Sequence, residues 1–212
     1  MKRIVTSLAL SALALSLAGC GAGVGGFVAR YSGSVGDPQG PARAAIHLPA
    51  DAGAEIETLL HDHPDGWRQD VILRDDGPEY GQNTLSLFVL ARPDRADYSL
   101  GDPLRVDRPD ATTIDGELSA AFPTNAMTVS PLHETDSYGP FGFAYGALHG
   151  AACLYAWQWL DGGARPLTAA VIGGGGRPPT TAWRIRLCRR GTTYRRLLDL
   201  VRQVRLESPG AA

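Results

Sequence analysis

The segment Cys153–Gly163 reads CLYAWQWLDGG. Cys153, Tyr155, Trp157 and Trp159 stand at every second position, and the chain has only four tryptophans. This alternation has the period of a β-strand, so the four side chains share one face. A second strand-like run follows at Trp183–Arg190, WRIRLCRR. With the two antiparallel and Cys153 opposite Cys188, Tyr155 faces Arg186 and Trp157 faces Arg184. Leu154 with Leu187, and Ala156 with Ile185, make the other face, which is the better core. Tyr155, Trp157, Trp159, Arg184 and Arg186 are then a candidate glycan or partner face. Guanidinium groups are attracted to aromatic rings, and the same rings stack on sugars. Two alternatives stand beside this reading. The C-terminal helix or a loop covers the face, or LTAAVI (Leu167–Ile172) is a strand inserted between the two.

The remaining pattern predicts an α+β fold, a largely antiparallel sheet with a short middle helix and a C-terminal amphipathic helix. WRQDVILR (Trp67–Arg74) and NTLSLFVLA (Asn83–Ala91) read as a hairpin joined by the turn residues DDGPEYGQ. Thr113–Phe122 reads as the middle helix, with a threonine near its start and Pro123 at its end. Ala126–Val129 is a short strand candidate. In TTYRRLLDLVRQVRL, Tyr194, Leu197, Leu198, Val201 and Val204 or Arg205 recur at helical spacing. Folded chain is expected over 44–206, as one domain or as two lobes joined near the Asp- and Pro-rich stretch 92–110, with a tail at 207–212.

The N-terminus sets the compartment. Lys2 and Arg3 precede an apolar run, Ile4–Leu17, and then LAGC at Leu17–Cys20. This is the layout of a secretory signal, and the run is too short to span a membrane. Its ending resembles the lipobox of bacterial lipoproteins, which implies removal of residues 1–19 and lipidation of Cys20. The alternative is an ordinary signal peptide cut nearby. Residue 21 is Gly and not Asp, so resemblance to the usual lipoprotein sorting pattern implies the outer membrane, and the expected location is the cell envelope, lipid-anchored and facing the periplasm. Residues 20–43, rich in Gly, Ser and Ala, read as a flexible tether. In an oxidising compartment the remaining even pair, Cys153 and Cys188, reads as a disulfide. Two buried free thiols are the alternative.

After signal removal the chain carries 18 arginines against 22 acids. Residues 183–206 hold eight Arg and one Asp, while 20–182 hold ten Arg and twenty acids. A basic end on an acidic body neutralises itself or docks on an anionic surface. Export makes nucleic acid a poor partner.

No motif for catalysis stands out. His61–His63 with Asp65 lacks the ligand spacing of a metal site and reads as a solvated loop. Gly173–Gly176 is followed by Arg177-Pro178-Pro179, so it is no phosphate loop. Ser130 and Ser137, with His133 or His149, lack a nucleophile elbow. Glu117, Glu134 and Asp136 are the acids close enough to the aromatic region to consider for glycoside hydrolysis. No catalytic residue, metal or cofactor is therefore expected.

Taken together, the lipobox, the strand-rich middle, GPFGFA (Gly139–Ala144), CLYAWQW (Cys153–Trp159), RIRLCRR and the terminal helix resemble the BcsN family of cellulose biosynthesis proteins. The similarity spans about residues 44–206. It implies a non-catalytic accessory lipoprotein of cellulose, or exopolysaccharide, biosynthesis and secretion. The implied partners are the membrane through Cys20, and cellulose synthase or secretion components or nascent glucan. A periplasmic hydrolase of an envelope polymer, or an envelope lipoprotein unrelated to cellulose, are the alternatives.

Overall fold

A computed structural model of the chain describes residues 37–39, 43–74, 83–90, 102–164, 167 and 179–208. Cys20, the whole DDGPEYGQ turn, LTAAVI beyond Leu167, Gly173–Gly176 and the end of the tail lie outside them. The strands are β1 (Asp37–Gln39), β2 (Ile46–His47), β3 (Glu55–His63), β4 (Gly66–Leu73), β5 (Asn83–Leu90), β6 (Thr128–Val129), β7 (Glu134–Thr135), β8 (Pro140–Leu148), β9 (Ala151–Leu160), β10 (Thr180–Arg190) and β11 (Arg205–Leu206). Helix α1 is Ala111–Ala121 and helix α2 is Tyr194–Val201. The architecture is α+β, as expected.

One antiparallel sheet runs in the order β1-β3-β4-β5-β10-β9-β8-β6, with β7 also on β8. The last long strand in chain order, β10, sits between β5 and β9, so it joins the N-terminal and C-terminal strands. β9 and β10 pair directly, with Cys153 opposite Cys188, Tyr155 opposite Arg186 and Trp157 opposite Arg184. No inserted strand separates them. The cysteines form a disulfide. At that end of β10, the Asn83 side chain donates to Cys188 O (3.2 Å) and accepts from Cys188 N (2.7 Å). A side-chain amide thus continues the ladder where the β5 main chain stops.

The two faces of the sheet differ because each strand alternates. One face carries Val71, Leu85, Leu87, Ile185, Leu187, Leu154, Phe141 and Trp183, all buried, and α2 lays Leu197, Leu198 and Val201 on it. The opposite face carries Tyr155, Trp157 and Cys188 under α1, which contributes Ile114, Leu118 and Ala121. β8 shows why both fit. Its sequence puts Phe141, Phe143 and Tyr145 on the α2 side, and Gly142, Ala144 and Gly146 on the α1 side. The small residues face the large rings of β9: Gly142 pairs with Trp157, and Ala144 with Tyr155.

Four expectations need correction. Asp37–Gln39, inside the presumed tether, pairs with Thr58–Leu60 as an edge strand. His61–His63 is no solvated loop but the end of β3, with His61 buried. The middle helix begins earlier than Thr113, at Ala111, because the Asp110 carboxylate accepts from Thr113 N (2.8 Å) and caps it. Helix α2 stops at Val201. Val204 stays buried after the helix ends, and Leu206 pairs with Ile46 in a small two-stranded sheet.

Candidate functional site: the aromatic and arginine face

The face carrying Tyr155, Trp157, Trp159, Arg184 and Arg186 is covered. Its cover is α1 and the segment before it, not the C-terminal helix, which lies on the other side. Tyr155 is fully buried, Trp157 is 9% exposed and Arg184 is 3% exposed. Trp159 is half-buried against Phe88, Leu90, Leu104 and Ala182. The site residues expected from the alternation are therefore brought together, but as an interior.

A buried charge cluster holds this interior. Arg184 Nε donates to Glu117 Oε2 (2.7 Å) and Nη2 to Glu117 Oε1 (3.0 Å), a two-point pairing. Tyr155 Oη donates to the same Oε2 (2.7 Å). Arg184 also donates to the main-chain oxygens of Asp107 and Trp183. One carboxylate on α1 thus ties the helix to β9 and β10. The guanidinium of Arg186 lies 4.8 Å from the ring centre of Phe122, and that of Arg108 lies 5.9 Å from Trp159. These two guanidinium groups meet rings other than the expected cross-strand partners, while Arg68 lies 5.3 Å from the ring centre of Phe88, its direct neighbour on the next strand.

A second polar cluster lies farther along the face. Arg68 donates twice to Asp70 Oδ1 (3.0 and 2.9 Å), and Ser86 Oγ donates to the same oxygen (2.6 Å). His61 Nε2 lies 3.3 Å from Asp70 Oδ2. Burial alone would raise the Asp70 pKa. The contact with His61, the charge of Arg68 and the Ser86 hydroxyl outweigh it and hold Asp70 below 3.8. The serine binds the carboxylate and not the imidazole, so this is not a nucleophile–base–acid relay.

The acids considered for hydrolysis have other occupations. Glu117 holds Arg184. Glu134 accepts from Arg202 Nη2 (2.7 Å). Asp136 accepts from the Tyr138 and Gly139 amides (2.7 and 3.0 Å) and from Gln158 Nε2 (3.1 Å). Burial pushes Asp136 above the ordinary carboxyl value despite those donors. Gln158 in turn accepts from Trp183 Nε1 (2.7 Å), so Asp136 belongs to a chain that fixes the start of β8. Ser130 Oγ accepts from Leu132 N in a local turn. No cluster of three or more metal-ligating side chains occurs among the described residues.

The basic end is partly neutralised within the fold. Arg184 meets Glu117, Arg196 meets Asp51 (3.1 Å), and Arg202 meets Glu134 and Asp199. Sequence reasoning missed the Glu117–Arg184 pair, the Asn83 bridge and the Arg68–Asp70–Ser86 cluster. Only the last left a trace, since Arg68 and Asp70 sit two apart on one strand face.

Comparison with known proteins gives one result. The family model described as cellulose biosynthesis protein BcsN matches residues 46–210. No curated protein and no solved structure matches the chain. The matched stretch runs from β2 to just beyond β11 and includes both β8, with its GPFGFA, and β9, with its CLYAWQW. A match over most of the chain, including these facing strands, shows that the chain belongs to the BcsN family of cellulose biosynthesis proteins.

Proposed function

We propose that this chain serves cellulose biosynthesis as an exported, non-catalytic accessory factor. It is anchored by lipid at Cys20, stands in the cell envelope on the periplasmic side of the outer membrane, and contacts synthase or secretion components or the emerging glucan. No cofactor enters the reading.

The observation that carries the accessory role is the employment of the acids. Glu117, Glu134 and Asp136 each accept hydrogen bonds that join one element to another. A general acid or nucleophile needs access to a glycosidic oxygen or an anomeric carbon. Glu117 is on the buried side of α1, facing the sheet, where a sugar does not reach it without displacing the helix.

The test is made in a cellulose-producing host. Loss of the gene lowers cellulose deposition, and a plasmid copy restores it. Mass spectrometry finds an acylated Cys20 as the first mature residue, and Cys20→Ser abolishes the acylation. An unmodified N-terminus at another residue overturns the anchor. Glucan hydrolysis by the purified chain that disappears in Glu134→Gln overturns the non-catalytic role.

A further inference from the structure

The C-terminal end of the fold is held apart from the nine-stranded sheet. β11 pairs with β2 in a separate two-stranded sheet, with Arg205 opposite His47 and Leu206 opposite Ile46. Two further hydrogen bonds hold the segment. Leu206 N donates to Tyr138 Oη (2.7 Å), and Glu207 N donates to Ala45 O (2.9 Å). Ile46, Val204 and Leu206 are buried there. A short ladder thus keeps apolar side chains of the core covered.

His47 belongs to this small sheet and reaches out of it on both sides. Its Nδ1 lies 2.9 Å from Glu55 Oε1 at the start of β3, and its Nε2 lies 3.9 Å from Glu207 Oε2, just past β11. The exposed Arg205 is its cross-strand neighbour, and the main-chain oxygen of Ala44 also favours the charged ring. One imidazole therefore links β2, β3 and the C-terminal segment. The side chains of His47 and Glu55 are 20% exposed and that of Glu207 is 49% exposed, so protons come and go without unfolding. A protonated ring has an N–H on each side and turns one toward each carboxylate. A neutral ring has a single N–H. The shorter contact, to Glu55, keeps it, and Glu207 then faces a lone pair. Loss of the proton turns attraction at Glu207 into repulsion and leaves the contact with β3 in place.

We propose that His47 is a proton-dependent latch on the C-terminal segment 205–207. With the ring charged, Glu207 is drawn in and β11 stays seated on β2. With the ring neutral, the short ladder and the Tyr138 bond hold the segment alone. It then opens more often, and each opening uncovers Ile46 and Leu206. The opening is local, because the latch touches the nine-stranded sheet only through Glu55. A half-exposed ion contact shifts such an equilibrium by a small factor, which is enough to change how often a terminal segment opens and too little to unfold the domain. The device is independent of the role in cellulose biosynthesis.

The experiment measures amide exchange by NMR, corrected for the intrinsic pH dependence of exchange, on the mature chain carrying Cys20→Ser. Protection at Leu206 and Glu207 is followed from about pH 5.5 to about pH 8, across the ordinary histidine range. It should fall about two- to fivefold as the pH rises. At every pH it should stay below the protection at Ile185 in β10, and dilute urea should speed exchange at Ile185 but not at Leu206 or Glu207, since a local opening exposes little surface. Glu207→Gln removes the charge at the latch and leaves Glu55 in place, and His47→Gln removes the titrating ring. Each should abolish the fall. Protection at Leu206 and Glu207 equal to that at Ile185 would mean that the segment opens only when the whole domain unfolds, and would overturn the latch. Protection that does not change with pH, or a fall that persists in either variant, would overturn it as well.

Discussion

The indole of Trp157 lies directly over Gly142 of the neighbouring strand. A Cβ built on Gly142 would sit 2.5 Å from the indole Nε1 and Cε2 atoms. Glycine is therefore required here by contact, and the two most specific stretches of the chain, GPFGFA and CLYAWQW, meet at this pair. Gly142→Ala forces the ring out of a packed interior and should cost about 1–3 kcal/mol. Trp157→Ala should cost about 3–5 kcal/mol, and the double variant less than the sum. Chemical denaturation of the three variants gives the coupling. Additive losses would mean that ring and glycine do not touch.

Glu117 and Arg184 form a buried pair between α1 and the central strand. Removing one partner strands the other, so Glu117→Ala should lose about 3–5 kcal/mol. Replacing both with apolar residues of similar size removes the stranded charge. The double variant Glu117→Met with Arg184→Met should recover much of that loss. Cellulose deposition by a folded double variant separates structure from chemistry. Deposition that follows stability marks a structural pair. Deposition lost while the fold survives would assign Glu117 a direct role.

The legible part of this molecule was the part written in alternation. In β9 and β10 the period of two, together with a cysteine in each, fixed a register that the structure reproduces rung by rung. The cover over that face was not legible. Helix α1 reads ATTIDGELSAA, and its Glu117 looks like a surface residue until Arg184, sixty-seven positions later, is placed beneath it. Strand β3 was invisible for a related reason. EIETLLHDH lies next to the sheet edge, where Glu57 and Asp62 stay exposed while Thr58 and His61 are buried, so its hydrophobic pattern never alternates cleanly. The end of α2 was misplaced because Val204 keeps the helical spacing after the backbone has left the helix. Spacing reports which side chains are buried, and two backbones can bury the same ones.

His47 gives the stability a pH dependence. Its Nδ1 lies 2.9 Å from Glu55 Oε1, and its Nε2 lies 3.9 Å from Glu207 Oε2. The hydrogen bond to Glu55 is the largest influence, and with the charges of Glu55 and Glu207 it outweighs burial and raises the pKa above 6.5. A histidine raised on folding contributes stability that is fully present below its unfolded pKa of about 6.5 and fades as pH rises through the folded value. The melting temperature should therefore decline as pH moves upward from about 6.5. His47→Gln should flatten that decline. An unchanged slope in the variant would place its origin elsewhere.

The disulfide closes the sequence between Cys153 and Cys188, a separation of 35 residues, and its loss should be felt chiefly through the unfolded chain. The loop-entropy relation gives about 3–4 kcal/mol for a loop of that length. Both cysteines are buried beneath α1, so a Cys153→Ala, Cys188→Ala variant also leaves a small gap, which adds to the cost. The native sheet need not separate, because the rungs on either side of the pair and the two Asn83 hydrogen bonds to Cys188 remain. The variant should therefore keep its near-native circular dichroism and lose stability, with more disorder admitted in the unfolded state than in the folded one. Asn83→Ala in the disulfide-free background should then loosen β10 from β5 at this end, seen as faster amide exchange at Cys188 than in either single change. Equal exchange in all three proteins would show that neither the bridge nor the asparagine holds the end of β10.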